Sequence, residues 1–482
     1  MDAATRDGTQ QAAEQTAAGP VPGAVPAAGL PATAVTVREL ARWREALAEI
    51  DRDVTDAERV DQLRALEELK AAAAAAQARI AVDLDVSQRE EQARAGLPAR
   101  ERGKGVGAQV ALARRESPHR GGRLLGLAKA LVREMPHTHA ALTAGVISEW
   151  RATILVRESA TLTLEDRRAF DVEVAADRTE LERLGDRQLT ARAKQVAYRL
   201  DAESVVRRAR RAEGERCVTL RPAPDTMSYL TGLLPVAQGV AVLAALTRAA
   251  DAARAQGDPR SRGQVMADTL VERVTGQSTA DATPVEIQLV MTDRTLLRGD
   301  GEPAVVPGYG PVPAGWARRL VGDRLGGRQA DHSTELWLRR LFTSPTTGQL
   351  VQMDSRRRTP PSGLARFVDA RDQGCRSAWC GAPIRHHDHI VPFAEGGPTS
   401  GENLEGTCEA CNYVKEAPGW RARAGPGDGH VVEVTTPTGH RYVSVAPALP
   451  GRHRDDPDIT PIGDERRGSL PYGWTVIRSR AA

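Results

Sequence analysis

The sequence predicts a mainly α-helical protein with small β elements, in which a long helical domain precedes a small cysteine-rich module. Three observations predict this architecture. Apolar side chains recur at helical spacing through most of residues 37–211. Short β patterns bounded by turn residues begin at about residue 216. Four of the five cysteines then fall within residues 375–411. A chain of 482 residues is long enough for several domains.

The helical part begins after a segment of low complexity. Residues 1–36 are rich in Ala, Gly, Pro, Gln and Thr and nearly lack large apolar side chains, which predicts disorder. Leu40, Trp43 and Leu47 then recur at spacings of three and four, which places them on one helix face. Similar segments follow, and the charged stretch 162–211 predicts two or three solvated helices.

Short strands interrupt this helical pattern. Residues 217–220 and 227–230 flank a Pro-rich turn and predict a hairpin, after which a helix runs from Pro235 to about Gln256. Alternating apolar residues predict another strand over 285–291, and the Gly- and Pro-rich stretch 299–313 predicts a loop. Cys217, which stands alone in the sequence, is predicted to be a core thiol.

Charge and hydropathy narrow the function classes. The net charge of +3 is too small to indicate a nucleic-acid partner by itself. The N-terminus has no basic stretch followed by an apolar core, so we expect no signal peptide. The most apolar stretch, 230–250, is interrupted by Pro235, Gln238 and Gly239, so we expect no membrane helix. These features predict a soluble cytoplasmic protein without a membrane partner.

The clustered cysteines form two short-spaced pairs, Cys-x4-Cys and Cys-x2-Cys. Disulfides are not expected in a chain without an export signal, so a thiolate metal site is the better interpretation. Two such pairs supply the four soft ligands of a tetrahedral structural zinc, and four unligated buried thiols are the alternative. The predicted zinc ligands are Cys375, Cys380, Cys408 and Cys411.

A second set of residues between the cysteine pairs has different chemistry. Asp388 is a hard oxygen ligand suited to Mg²⁺, and Asn412 offers a carbonyl oxygen. His389 is largely neutral at pH 7 and could take a proton from water. A divalent ion beside a general base is what phosphodiester hydrolysis needs. Adjacent strand residues point to opposite faces, so Asp388 and His389 converge only if the backbone is distorted there.

These residues occur in a recognisable order. Asp-His-Ile-Val-Pro at 388–392, Asn-Leu at 403–404 and Cys-x2-Cys-Asn-x2-Lys at 408–415 resemble the HNH endonuclease motif, in the form that ends in Asn instead of His. The resemblance covers about residues 365–420. The preceding part of the chain resembles the helical N-terminal domain of unknown function that accompanies HNH modules in a large actinobacterial family.

The resemblance implies a ββα-metal fold and a metal-dependent endonuclease that acts on DNA. It implies that His389 is the general base and that Asp388 and Asn412 hold the catalytic Mg²⁺ or Mn²⁺. Asn403 matches the middle motif position, which braces the loop and helps to orient the base. The four clustered cysteines match the positions that bind structural Zn²⁺ in many members. His386 and His387 have no fixed role in the motif, and we expect them to be solvated or locally hydrogen-bonded.

Local charge indicates where DNA phosphates would bind. Residues 336–390 contain nine Arg and four Asp, whereas residues 391–425 contain three basic and five acidic residues. Lys415 could contact a phosphate from the helix after Cys411, or could be a plain surface charge. The strongest predicted phosphate contacts are Arg356, Arg357 and Arg358, with a solvated loop as the alternative.

We therefore predict four segments: a disordered 1–36, a helical domain over 37–345, an HNH nuclease domain over 346–425, and a C-terminal hairpin with a frayed tail over 426–482. A metal-dependent DNA endonuclease is the first hypothesis. The second is a non-catalytic zinc-stapled module that binds nucleic acid. The third places the biological role in the helical domain, as a scaffold that binds a partner.

Overall fold

The structure is a computed structural model that describes residues 35–280, 289–292, 294–306, 308–326, 354–355, 358–426 and 429–450. The chain divides into two compact units, residues 1–65 and 66–482. The predicted class is confirmed, because the described residues are mainly helical and carry only small sheets. Nearly all of the segment predicted to be disordered lies outside the described residues.

The smaller unit contains α1 (Val37–Ala48) and the start of α2 (Asp56–Arg94). Thr36 caps α1: its hydroxyl accepts a hydrogen bond from the Glu39 amide at 3.3 Å, and the Glu39 carboxylate accepts one from the Thr36 amide at 2.6 Å. This reciprocal pair satisfies two amide groups that a helix start leaves unbonded. The apolar face predicted from Leu40 is exposed.

The helical part of the larger unit packs around one apolar cluster, whose fully buried members include Leu131, Leu155 and Phe170. Asp171 accepts hydrogen bonds from the amides of His137 and Thr138, at 2.7 and 2.9 Å, and so fixes two helices together. After α2, the helices are α3 (Val106–Arg114), α4 (Pro118–Arg133), α5 (Pro136–Thr143), α6 (Glu149–Glu158), α7 (Leu164–Ala175), α8 (Arg178–Arg183), α9 (Asp186–Leu200) and α10 (Ala202–Gly214).

The stretch 162–211 differs from its prediction of two or three solvated helices. It forms the four helices α7 to α10. Phe170, Leu181 and Leu189 are completely buried, so three of these helices contribute to the core. A helix can bury one apolar stripe in the core while its other faces carry charged residues. The high charge of this stretch therefore led to the prediction of solvated helices, although each of the three helices has a buried apolar residue.

A hairpin of β1 (Cys217–Pro222) and β2 (Ser228–Leu233) follows, as predicted, and leads to α11 (Val236–Ala255) and α12 (Arg262–Thr275). Every residue of β1 and β2 is exposed. The prediction that Cys217 is a core thiol is therefore wrong, since its strand lies on the surface of the described structure.

Helix α11 is continuous through Gln238 and Gly239, where the sequence predicted that the apolar stretch would be interrupted. Within the described part of the chain it is the one helix long and apolar enough to cross a membrane, with a mean hydropathy of 1.2 over its most apolar window. Core helices of soluble proteins meet the same criterion, so the absence of a membrane partner stays a prediction.

Residues 289–326 form a second small β unit. Val290 pairs with Val305, whereas the first half of the strand predicted over 285–291 lies outside the described residues. The predicted loop over 299–313 instead contains an antiparallel pair. Its elements are a π-helical turn (Arg294–Arg298), β3 (Ala304–Val306), β4 (Gly310–Val312) and α13 (Ala314–Gly326).

The C-terminal module has the strand–strand–helix order that the motif implies. Strand β6 pairs with β8, which leads directly into α15, and β9 to β11 form a three-stranded antiparallel sheet that includes the predicted hairpin. The elements are β5 (Asp354–Ser355), α14 (Ser362–Asp372), β6 (His386–His389), β7 (Thr399–Ser400), β8 (Leu404–Thr407), α15 (Glu409–Lys415), β9 (Arg421–Ala424), β10 (Val431–Thr435) and β11 (Arg441–Val445).

The chain stays packed beyond the predicted start of fraying at about residue 447, because Leu449 is buried. Residues 451–482 lie outside the described structure. The predicted boundary between residues 425 and 426 falls between two paired strands, because β9 lies before it and β10 lies after it. The domain boundaries given above stay predictions.

The helical part contacts the C-terminal module through α3. Ala108 and Leu112 of α3 form a buried cluster with Ala417 and Trp420. Gly105, at the start of α3, has a φ of 83° and leaves room for the Trp420 ring, which a Cβ atom there would approach to 2.5 Å. This contact holds the module against the helical core.

Candidate functional site

The site is built on the antiparallel pair β6–β8. Asp388 lies opposite Glu405, and His389 lies opposite Leu404. Opposite residues of such a pair share a face, whereas neighbours along a strand alternate. Asp388 and Glu405 therefore share one face, and His389 lies on the other. The β6–β8 ladder is regular through Asp388 and His389, so the backbone distortion that would bring their side chains together is not present there.

His389 is held in place within the module. Its side chain is buried, its Nε2 lies 2.9 Å from the Thr399 hydroxyl, and its ring meets Phe393 edge-on at 5.6 Å between centroids. The Thr399 hydroxyl also lies 3.5 Å from the carbonyl of Arg358, to which it can donate its one hydrogen. In that arrangement His389 donates from Nε2, and Nδ1 carries the basic lone pair.

The charge state of His389 follows from its surroundings. Burial is the main cause that lowers the pKa of His389 below its usual 6.5. The Asp388 carboxylate acts in the opposite direction, and the positive charges of Lys415 and Arg358 lower the pKa again. The neutral imidazole is thus favoured at pH 7, which is the form that a general base needs.

Asn403 closes the loop that links β6 to β7. Its Oδ1 accepts a hydrogen bond from the Val391 amide at 2.9 Å, and its Nδ2 donates to the carbonyls of Val391 and Pro398 at 3.1 and 2.9 Å. Gly397 permits this closure, because a Cβ atom there would lie 1.9 Å from the Val391 carbonyl oxygen. The side-chain amide of Asn403 is thus hydrogen-bonded to both sides of the loop. A residue that braces the loop, as predicted for Asn403, would need this geometry.

Asp388 already faces a positive charge. The Lys415 ammonium lies 2.5 Å from Asp388 Oδ2 and 3.2 Å from Glu405 Oε1, and also donates to the backbone carbonyl of His389. Asp388 Oδ2 is nevertheless buried without a hydrogen bond of acceptable geometry, so the contact with Lys415 is an ion pair only.

The oxygen donors on this side fit a hard divalent ion. Asp388 Oδ2 is a buried carboxylate oxygen without a hydrogen bond, and Asn412 Oδ1 accepts one long hydrogen bond, 3.3 Å, from the Thr407 hydroxyl. Helix α15 places Asn412 and Lys415 on the turn that packs on β6 and β8. A carboxylate and an amide oxygen are ligands that Mg²⁺ and Mn²⁺ accept.

The four clustered cysteines converge as predicted. Their Sγ atoms all lie within 4.8 Å of one another, and those of Cys380 and Cys408 are 3.6 Å apart. A tetrahedral site with Zn–S bonds of about 2.3 Å has edges of about 3.8 Å. Cys408 also caps α15, because its Sγ accepts a hydrogen bond from the Cys411 amide at 3.5 Å. The cluster is therefore compatible with a structural zinc.

The protonation states of these thiols depend on one another. Hydrogen bonds from Cys380 and Cys411 lower the pKa of Cys375 to about 2. The Cys375 thiolate in turn raises the pKa of Cys380 to about 12 and raises that of Cys411. Four sulfurs this close ionise together only if a cation compensates their charge.

A buried polar network links the C-terminal sheet to the site. Asp372 accepts hydrogen bonds from Arg371, Arg376 and the Gly406 amide, at 2.6, 3.2 and 2.7 Å. Arg376 also donates to the carbonyl of His430 at 2.9 Å, and burial lowers the pKa of His430 to about 4. The network joins the end of α14, β8 and the segment before β10 into one body.

The remaining predicted residues have varied environments. Arg358 is exposed and close enough to affect His389, whereas Arg356 and Arg357 lie outside the described residues. His387 Nε2 lies 2.8 Å from Asp369, which agrees with the expected local hydrogen bond. The side chain of Lys415 is only 11% exposed, and its role in binding phosphate stays a prediction.

Two residues of the site have no counterpart in the sequence analysis. Thr399 lies ten positions after His389, and Glu405 lies within a short strand among many other acidic residues. Neither position has a signal in spacing or composition. Both residues lie at the site because of how the strands pair, and the sequence alone does not show the register of that pairing.

The strand–strand–helix order, the cysteine cluster and the histidine beside an aspartate define the C-terminal module as an HNH endonuclease domain, and residues 375–417 match the family described as HNH endonuclease. Residues 63–372 match the family described as Domain of unknown function (DUF222). Since that match covers more than half of the chain, the protein belongs to this family. Both resemblances expected from the sequence are confirmed. No curated protein and no solved structure matches the chain significantly.

Proposed function

We propose that this protein is a metal-dependent endonuclease that hydrolyses phosphodiester bonds of DNA. The environment of His389 carries the proposal: a buried imidazole, kept neutral by burial, whose Nε2 is engaged by Thr399. His389 directly follows Asp388 in the HNH motif, where a general base and a metal ligand are expected, and the two side chains leave opposite faces of β6.

In the proposed reaction His389 takes a proton from water at Nδ1, the resulting hydroxide attacks phosphorus, and the bond from phosphorus to the leaving oxygen breaks, with that oxygen then taking up a proton. Asp388 and Asn412 would hold Mg²⁺ or Mn²⁺, which supplies positive charge for the phosphate and the leaving oxygen. Asn403 keeps the loop after His389 closed and so fixes the base. Zinc on the four cysteines would stabilise the module without entering the chemistry.

The proposed substrate contact uses phosphates, not bases. Arg358 is an exposed guanidinium close to His389, and it belongs to the run of three arginines at 356–358. An exposed arginine beside the base can hold a phosphate by paired hydrogen bonds.

A non-catalytic module that binds nucleic acid is the second candidate. The ion pair between Lys415 and Asp388 is the observation that favours it, because Asp388 already has a cation partner. Binding and cleavage must therefore be measured separately.

We expect zinc-loaded protein to convert supercoiled plasmid to nicked or linear forms with Mg²⁺ or Mn²⁺ and to leave it intact with EDTA. Asp388→Asn should reduce the rate at least about 100-fold. Asp369→Asn is the matched control, because Asp369 is a carboxylate of the same module that pairs with His387, and it should cleave like the parent. DNA binding without cleavage in any metal would support the second candidate.

A further inference from the structure

Lys415 is almost enclosed among oxygen atoms. Its side chain is 11% exposed, and its ammonium contacts Asp388 Oδ2 at 2.5 Å, Glu405 Oε1 at 3.2 Å and the backbone carbonyl of His389. Lysine is seldom so buried unless it is paired. Three converging oxygens, two of them from carboxylates, are also the kind of environment that a divalent ion takes in proteins.

The neighbouring carboxylates favour a cation at this position. Glu405 is 3% exposed and lies directly opposite Asp388 in the β6–β8 ladder. Two carboxylates facing each other across a strand pair repel, and this repulsion is strong where water is excluded. The Lys415 ammonium touches both groups and compensates their charge without any bound ion.

We propose that Lys415 is a built-in counter-ion of the Asp388 site, and that a divalent ion binds there by displacing its ammonium from Asp388. This inference rests on the proposed function, since it takes Asp388 as a metal ligand. Metal binding is then an exchange of cations, and Lys415 is a positioning residue that keeps Asp388 oriented while no divalent ion is bound.

The exchange has a measurable consequence. In the parent protein the divalent ion must break the ion pair between Lys415 and Asp388, which weakens its apparent affinity. Removing the ammonium abolishes that competition and also the repulsion between two neighbouring cations. A variant that keeps the length of the side chain but not its charge should therefore bind the ion more tightly.

The test is Mn²⁺ binding to the zinc-loaded full chain, followed through the paramagnetic resonance of free Mn²⁺, with no DNA present. Lys415→Met is expected to bind Mn²⁺ about tenfold more tightly than the parent. Lys129→Met is the matched control, because Lys129 pairs with the buried Asp85 at 2.8 Å in the helical part, and it should leave the affinity unchanged. Asp388→Asn identifies the site by abolishing the binding.

A second measurement uses the parent protein alone, in case the Lys415→Met protein does not fold. Lys415 should react several-fold faster with an amine-directed reagent when Mn²⁺ is bound, because the ammonium has then lost one carboxylate partner. Mass spectrometry can resolve this position, since the chain has only five lysines.

The outcomes separate this inference from the proposed function. Mn²⁺ affinity that is unchanged or weaker in folded Lys415→Met, or Lys415 reactivity that Mn²⁺ leaves unchanged or lowers, would overturn the exchange while leaving the metal site intact. No Mn²⁺ binding that depends on Asp388, in either the parent or the variant, would overturn the metal site of the proposed function itself.

Discussion

At the level of single residues, His389 combines burial with a hydrogen-bond partner at Nε2. Burial lowers its pKa, and when Nε2 donates to the Thr399 hydroxyl the basic nitrogen is Nδ1. The adjacent carboxylate of Asp388 opposes the effect of burial. A histidine on the surface would have neither the fixed orientation nor the favoured neutral form.

The pKa of His389 determines how cleavage should depend on pH. A base works only when it is unprotonated, so activity is present above its pKa and is lost as the pH falls through it. Because the pKa lies below 6.5, we expect kcat/KM to fall on acidification with a midpoint below pH 6.5. A pH–rate profile, with the fold checked by circular dichroism at each pH, measures this. A midpoint above 6.5 would contradict the environment described for His389.

Asn403 offers a test of the loop brace. Asn403→Ala removes three hydrogen bonds to the partly buried backbone of Val391 and Pro398, which should cost about 3 kcal/mol of local stability. Asn412→Ala, which loses one hydrogen bond of 3.3 Å, should cost about 1 kcal/mol or less. Hydrogen exchange of the β6 and β8 amides measures both values. Equal losses in the two variants would show that Asn403 does not brace the loop.

Single residues also show how far the sequence could predict the site. Asp388, His389 and Asn412 could be singled out because few residue types can bind a metal or take a proton, and because they stand at the positions of a short motif. Thr399 and Glu405 act through contacts across strands, so their roles depend on a pairing register that a sequence does not show. The opposite faces of Asp388 and His389 follow from the regular ladder.

At the level of secondary-structure elements, the C-terminal module was more predictable than the helical part. The order of its strands and helix followed from the resemblance to the HNH motif, and its C-terminal hairpin followed from a Pro-Thr-Gly turn at 437–439 between two β patterns. In α7 to α10, charge concealed an apolar stripe that faces the core. The exposure of Cys217 depends on what packs against β1 and β2, which no local pattern encodes.

The cysteine cluster should determine whether the C-terminal elements stay folded. Cys408→Ser removes one sulfur of the cluster together with the cap of α15. We expect loss of about one zinc per chain and rapid hydrogen exchange over residues 375–417, because the free energy of binding zinc contributes directly to folding.

The control for this change is Cys217→Ser. Cys217 is exposed on β1 and lies outside the cluster, so its variant should keep both the zinc content and the exchange protection of the parent. The helical core around Phe170 should stay protected in both variants. Protection over residues 375–417 that survives the loss of zinc would contradict a stapling role for the metal.

At the level of the whole molecule, the helical part and the HNH module of the larger unit are joined by specific contacts. Trp420 and Ala417 pack on α3, and the Thr438 hydroxyl donates to Gln109 Oε1 at 3.0 Å. These partners are more than 300 positions apart in sequence, as the separation of 329 between Gln109 and Thr438 shows. Periodicity, composition and the motif predicted four segments of the chain, but not the contact surface between the helical part and the module.

If His389 activates water for DNA hydrolysis, its loss must slow the chemical step, and single-turnover cleavage with protein in excess over plasmid measures that step. Excess protein keeps all DNA bound, so the rate reports the chemical step. With Mg²⁺ or Mn²⁺, we predict that His389→Ala cleaves at least about 100-fold more slowly than the parent. His386→Ala, a change three positions away on the same strand, should cleave at the parent rate. Cleavage by His389→Ala at the parent rate would contradict the account.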